Sequence, residues 1–110
     1  MPKAYLISAY QEVNNQDALA AYAKLAAPAL IAAGGKFLAR GMPSAVKESG
    51  KLQRTVLVEF ESLQVALDAY ASEAYQLAMK ELTGNAVVRD IRIIEGALLA
   101  HLSLKLWLLL

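Results

Sequence analysis

RTVLVEFESLQVALDAY, residues 54–70, holds the transition on which the fold turns. Thr55 to Phe60 (TVLVEF) is β-branched and aromatic, the composition that suits a pleated strand. Ser62 then stands where a helix cap belongs, because its side-chain oxygen can accept an orphan amide of the first turn. Leu63, Ala66, Leu67 and Tyr70 follow at helical spacing. Ser72, with Glu73 behind it, repeats the cap signal, so the helix is expected to restart there and run to about Leu82. Gly84-Asn85 closes it, and Val87 to Ile94 reads as a further strand ended by Gly96.

Working toward the N-terminus, Lys36 to Arg40 is a strand, joined to Thr55 by a turn-rich stretch with a candidate short strand at Ala45 to Lys47. Gly34-Gly35 stops the helix before it. In that helix Leu19, Tyr22, Ala26, Leu30 and Ala33 recur at helical spacing behind a cap at Asn15, with Asp17 in the first turn. Pro28 interrupts the pattern and is expected to kink or break the helix. Ala4 to Tyr10 is the first strand, ended by the polar cluster QEVNNQD. The order strand, helix, strand, strand, helix, strand predicts a ferredoxin-like α+β domain: a four-stranded antiparallel sheet with its helices on one face.

That arrangement leaves a face without helices. The strands nevertheless carry apolar residues in both alternation sets, Val56 and Val58 against Leu57, and Ile91 and Ile93 against Ile94. An antiparallel sheet with one wet face alternates cleanly. The simplest cover is a second copy packed sheet to sheet about a two-fold axis, so a homodimer or higher homo-oligomer is expected.

Composition narrows the functions. The 110 residues suffice for one domain, and 11 basic against 10 acidic residues leave a net charge of +1 with the signs interspersed, unlike the basic stripe of a nucleic-acid binder. Cysteine is absent, which removes disulfides, thiolate metal sites and cysteine nucleophiles, and the single histidine, His101, removes a multi-histidine metal site within one chain. The apolar run after Lys3 is too short for a secretory leader, so the cytoplasm is the expected compartment. No cofactor motif stands out: GGKFLARG lacks the G-x-G-x-x-G spacing and the strand-to-helix setting of a dinucleotide loop.

GGKFLARG, RTVLVEF, the SLQVALDAY and SEAYQ stretch and RDIRIIEG together resemble the DUF1330 family of the dimeric α/β-barrel superfamily, over roughly residues 3 to 96. The resemblance implies the fold above, a homodimer whose two sheets form a barrel, and a family with no established reaction. Its wider relatives include cofactor-free monooxygenases, lactone isomerases and non-catalytic members, among which fold does not choose. SEAY stands where the family more often has S-P-E-Y, and the last fourteen residues lie outside the resemblance. The expected organisation is therefore a domain over 1–96 and a leucine-rich tail over 97–110.

The candidate polar residues lie on or beside the sheet. Arg40 ends the second strand and Glu59 sits near the end of the third, where antiparallel pairing could bring them together. Glu59 could act as a base if buried, or simply pair with an arginine. Tyr22, Tyr70 and Tyr75 could line a pocket between helices and sheet, or could be core residues whose hydroxyls reach its rim. One function reading follows: a small-molecule site in that pocket, with Tyr22, Arg40 and Glu59 as polar groups and a cleft of at least a few hundred Å³. Whether it is an enzyme stays open.

The other reading is a non-catalytic assembly module built on the tail, HLSLKLWLLL. As a strand the tail places Leu102, Leu104, Leu106 and Leu108 on one face, suited to an oligomer contact; as a helix, His101 and Lys105 share a face. It is too short to span a bilayer, which needs about 20 apolar residues. An appended tail with no evolved role is a competing account, and a membrane-surface role a third, although one lysine is a thin basic face for an interfacial helix.

Overall fold

The computed structural model describes residues 2–97, so residues 98–110 of the tail, with the four candidate leucines, lie outside the described residues. Seven elements follow in order: β1 Ala4–Val13, α1 Gln16–Ala32, β2 Lys36–Gly41, β3 Thr55–Phe60, α2 Leu63–Ala71, α3 Glu73–Met79 and β4 Val87–Glu95. The strands form one antiparallel sheet in the order β2-β3-β1-β4, the ferredoxin-like arrangement.

Strand alternation sorts the side chains onto two faces. Ala4, Leu6, Ser8 and Tyr10 of β1 and Val56, Val58 and Phe60 of β3 are buried on one of them. On β4 the same face carries Arg89, Ile91 and Ile93, the two isoleucines packed against the core. The helices supply Tyr22, Ala26, Leu30, Ala66, Ala69, Tyr75 and Ala78. Small alanines let the helices settle close to the sheet, and the few large rings fill the space between.

Capping side chains set the helix boundaries. Asn15 accepts from the Ala18 amide at 3.0 Å and Ser62 from the Val65 amide at 3.2 Å. Ser72 serves two helices: its hydroxyl donates to the Ala69 carbonyl at 2.8 Å, closing α2, and accepts from the Tyr75 amide at 3.3 Å, opening α3. The helix therefore restarts where the second cap signal stands. At the end of α1, the Gly34 amide donates to the Ile31 carbonyl and Gly35 to that of Leu30, with Gly34 at φ 98° in the region glycine favours.

Several boundaries differ from those expected. Pro28 does not break α1, which runs through it. The amide it lacks would have bonded the Lys24 carbonyl, on an exposed turn where water is at hand, while Ala26, Ala29 and Leu30 hold the helix to the core. β1 continues past Tyr10 to Val13, because after an irregularity between Tyr10 and Glu12 it finds further partners in Val88 and Val87. α3 stops at Met79 rather than Leu82, ending in turns donated by the Glu81 and Leu82 amides. Ala45 to Lys47 is not a strand. The connection from β2 to β3 folds as turns, with the Gly50 amide bonded to the Lys47 carbonyl at 2.8 Å.

The face without helices carries Tyr5, Ile7, Leu57, Glu59, Arg92 and Ile94, with Ile94 56% exposed. Its apolar residues form a patch across three neighbouring strands, since Ile7 pairs with Leu57 and Tyr5 with Ile94.

Candidate functional site

A cleft opens between α1 and the helix-bearing face of the sheet. Leu19, Ala23, Ala26, Ala27 and Leu30 of α1 form one wall, and Leu6, Phe37, Val56 and Val58 form the other. Polar side chains complete the lining: Ser8, Tyr10, Tyr22, Tyr75 and Arg89, together with Arg40 and Arg54. About 40 Å³ is open to the centres of water-sized molecules, room for a few waters and less than the few hundred Å³ expected. Three tyrosine rings and the Arg89 side chain occupy what would otherwise be its depth.

Arg89 organises this cluster. Its position on β4, in phase with Ile91 and Ile93, sends the guanidinium under the helices. Nη1 donates to the hydroxyls of Tyr22 at 2.9 Å and Tyr10 at 3.3 Å, and Nη2 to the Tyr75 hydroxyl at 3.2 Å and Met79 Sδ at 2.9 Å. The guanidinium carbon also lies 4.7 Å from the centre of the Tyr22 ring and 5.6 Å from that of Tyr10, within cation–π range. The Tyr22 and Tyr75 hydroxyls bond each other at 2.6 Å while their rings meet edge to face.

The environment keeps these groups in fixed charge states. Burial is the main force raising the Tyr75 phenol above the ordinary tyrosine range, and the neighbouring Arg89 charge does not offset it. Tyr75 is therefore a neutral hydroxyl. For Arg89, burial opposes the charge, but the oxygens of Tyr22 and Tyr75 outweigh it and hold the pKa above the usual arginine value.

Of the residues singled out in the sequence, Tyr22, Tyr75 and Arg40 line the cleft. Arg40 reaches it through an irregularity in β2. Phe37 pairs with Val58 and Arg40 with Val56, so the extra residue between them turns both toward the helices, and the guanidinium stacks 4.9 Å from the Phe37 ring centre. Glu59 is on the opposite face, where it accepts from the Tyr5 hydroxyl at 3.2 Å and is paired in register with Lys36. The alternation that buries Val58 and Phe60 sends Glu59 the other way, so Glu59 and Arg40 do not meet. Tyr70 stands behind Tyr75, ring centres 5.2 Å apart, outside the cleft.

Arg89, Tyr10, Arg54 and Ser8 were not among the candidates. Arg89 sits beside Asp90, and the pair reads as alternating surface charge. In fact Asp90 turns outward to Arg92, 3.0 Å away, while Arg89 turns in. The available signal was its phase: Arg89, Ile91 and Ile93 share an alternation set. Two buried polar atoms in the cleft lining have no partner, Ser8 Oγ and Arg54 Nε. Among the described residues no group of His, Cys, Asp and Glu could hold a metal.

A four-stranded antiparallel sheet backed on one face by helices, with a cleft beneath the first helix, defines a ferredoxin-like α+β domain. The family described as "Domain of unknown function (DUF1330)" matches residues 3–97, and the chain belongs to that family. Its fold is similar to that of RPA0582, a protein of unknown function from Rhodopseudomonas palustris, at 18% identity and TM-score 0.64 over 86% of this chain and 81% of that one. A methylated RPA0582 structure gives 14% identity and TM-score 0.67 over 87% and 82%. A protein assigned as an antibiotic biosynthesis monooxygenase from Caulobacter crescentus CB15 gives 11% identity and TM-score 0.54 over 87% and 91%. At such identities the likeness concerns the fold alone. No curated protein matches the sequence.

Proposed function

We propose that the cleft between α1 and the sheet binds a small molecule, and that the domain works as a homodimer. The observation that carries the binding reading is the Arg89 cluster in an apolar-walled cleft, with the buried Ser8 hydroxyl unpartnered in its lining. Burying a hydroxyl without a partner costs about 1–3 kcal/mol. A bound ligand would supply the missing partner. Apolar walls with a few placed polar groups are the usual makeup of such sites.

The test is ligand-observed NMR with a fragment library against the wild type and the variants Ala23→Leu and Ala27→Leu. Both alanines line the cleft and are only half-buried, so the extra carbons enter it at little cost to the fold. Binders should lose their signal in the variants while thermal unfolding stays close to wild type. Binders indifferent to both substitutions would place the site elsewhere, and a library without hits would end this reading.

The dimer is supported by the uncovered sheet face, where Ile7, Leu57 and Ile94 sit together on adjacent strands. Ile94→Asp should shift the sedimenting mass from dimer toward monomer at micromolar concentration. A wild-type chain that sediments as a monomer would remove this part of the proposal.

A further inference from the structure

Building on the small-molecule reading of the cleft, we infer that its ligand is a carboxylate carried on a small apolar body. The first ground is charge. Arg40, Arg54 and Arg89 line the cleft, and no aspartate or glutamate does. In a chain with 11 basic and 10 acidic residues, that is a local separation of sign rather than a reflection of composition. The ion pairs among the described residues, Lys3 with Glu61 and Arg92 with Asp90, lie elsewhere and leave all three of these arginines out. A concave site lined by one sign, with low-dielectric walls, attracts the opposite charge.

The second ground is a count of protons. Tyr22 and Tyr75 carry one hydroxyl proton each, and the bond between them uses one. Arg89 only donates, so it cannot take the other. Its four terminal N–H groups match the four acceptors already named, the hydroxyls of Tyr10, Tyr22 and Tyr75 and the sulfur of Met79. One proton of the tyrosine pair is therefore left over. The Ser8 hydroxyl, 4% exposed, has no partner, and neither has Arg54 Nε. The lining thus offers surplus donors and a net positive charge, and what it lacks is an acceptor that is negative.

The division of labour follows. With its terminal N–H groups engaged, Arg89 is a positioning residue: it aims the tyrosine hydroxyls and polarises them as donors. Arg54 and Arg40 have guanidinium groups left to meet the ligand directly. A carboxylate has two oxygens in one plane and accepts from an arginine fork and a hydroxyl at once. The apolar side chains of Leu19, Leu30, Leu6 and Val58 in the same lining would meet the body attached to it.

The test is isothermal titration of the wild type with butyrate and benzoate, and with butyramide and benzamide as neutral matches of the same shape. The acids should bind at least tenfold tighter than their amides, and their affinity should fall as salt rises. Arg54→Gln should weaken the acids about tenfold or more and leave the amides nearly unchanged. Arg40→Gln, at an exposed residue, should do the same in part without disturbing the fold. Acids and amides of equal affinity, or phenyl phosphate bound more tightly than benzoate, would overturn the carboxylate inference while leaving the cleft as a binding site. If neutral fragments bind in the cleft and carboxylates do not, the inference fails in the same way. If neither class binds, the cleft reading falls, and this inference with it.

Discussion

Replacing Tyr75 with phenylalanine isolates the polar cluster from its packing. The ring stays, so the edge-to-face contact with Tyr22 and the buried apolar area are kept. Two hydrogen bonds go: the 2.6 Å bond to the Tyr22 hydroxyl and the 3.2 Å bond from Arg89 Nη2. A neutral bond contributes about 0.5–1.5 kcal/mol net and one to a charged group about 1.5–3 kcal/mol. Arg89 is half-buried and keeps Tyr22 and Tyr10 as acceptors, which sets the sum toward the lower end, about 2–3 kcal/mol. Urea unfolding at fixed protein concentration should show the midpoint falling by about 1 M or more with the slope unchanged. Tyr22→Phe removes the same shared bond from the other side. The double variant should therefore lose about 1 kcal/mol less than the two single losses added together. A Tyr75→Phe protein within 0.5 kcal/mol of wild type, or strictly additive losses, would mean that the hydroxyls are not coupled as the geometry has them.

Three further outcomes follow from particular contacts. The raised Tyr75 pKa means that the folded chain keeps a proton which the unfolded chain releases above about pH 10, so stability should be level below that pH and then fall by about 1.4 kcal/mol per pH unit from this group; a Tyr75→Phe protein with the same alkaline slope would contradict it. Gly35→Ala should cost about 2 kcal/mol or more by chemical denaturation, because its Cβ would stand 2.8 Å from the Leu30 carbonyl oxygen and 2.9 Å from Val58 Cγ1; a neutral effect would show that the end of α1 can shift. Ser72→Ala should cost about 1–2 kcal/mol and raise hydrogen exchange at both the end of α2 and the start of α3, since one hydroxyl serves both; protection lost at only one helix would refute the shared role.

Much of the architecture was legible because it is local. TVLVEF declares a strand by residue type, and Asn15, Ser62 and Ser72 declare helix starts by a hydrogen bond that spans three residues. Pro28 does not end the helix, because its cost is local, whereas the burial of Ala26, Ala29 and Leu30 that outweighs it is tertiary. The candidate site was legible in part. Tyr22 and Tyr75 could be placed on helix faces looking at the sheet, but pairing Arg40 with Glu59 needed the register, and a single irregularity in β2 together with the alternation of β3 put them on opposite faces. Arg89 was hidden by its neighbour: next to Asp90 it looks like surface charge, and only its phase with two isoleucines marks it as inward.

By itself, the order of strand and helix signals determined a ferredoxin-like sheet with one bare apolar face, because periodicity and capping act within a few residues and survive without knowledge of partners. Which polar groups share a cleft was decided only by the tertiary structure. A one-residue change of register reverses the face of every side chain that follows it, and the sequence does not record where such a change falls. The meeting of Tyr10, Tyr22, Tyr75 and Arg89 joins β1, α1, α3 and β4, elements that come together only when the sheet and its helices pack.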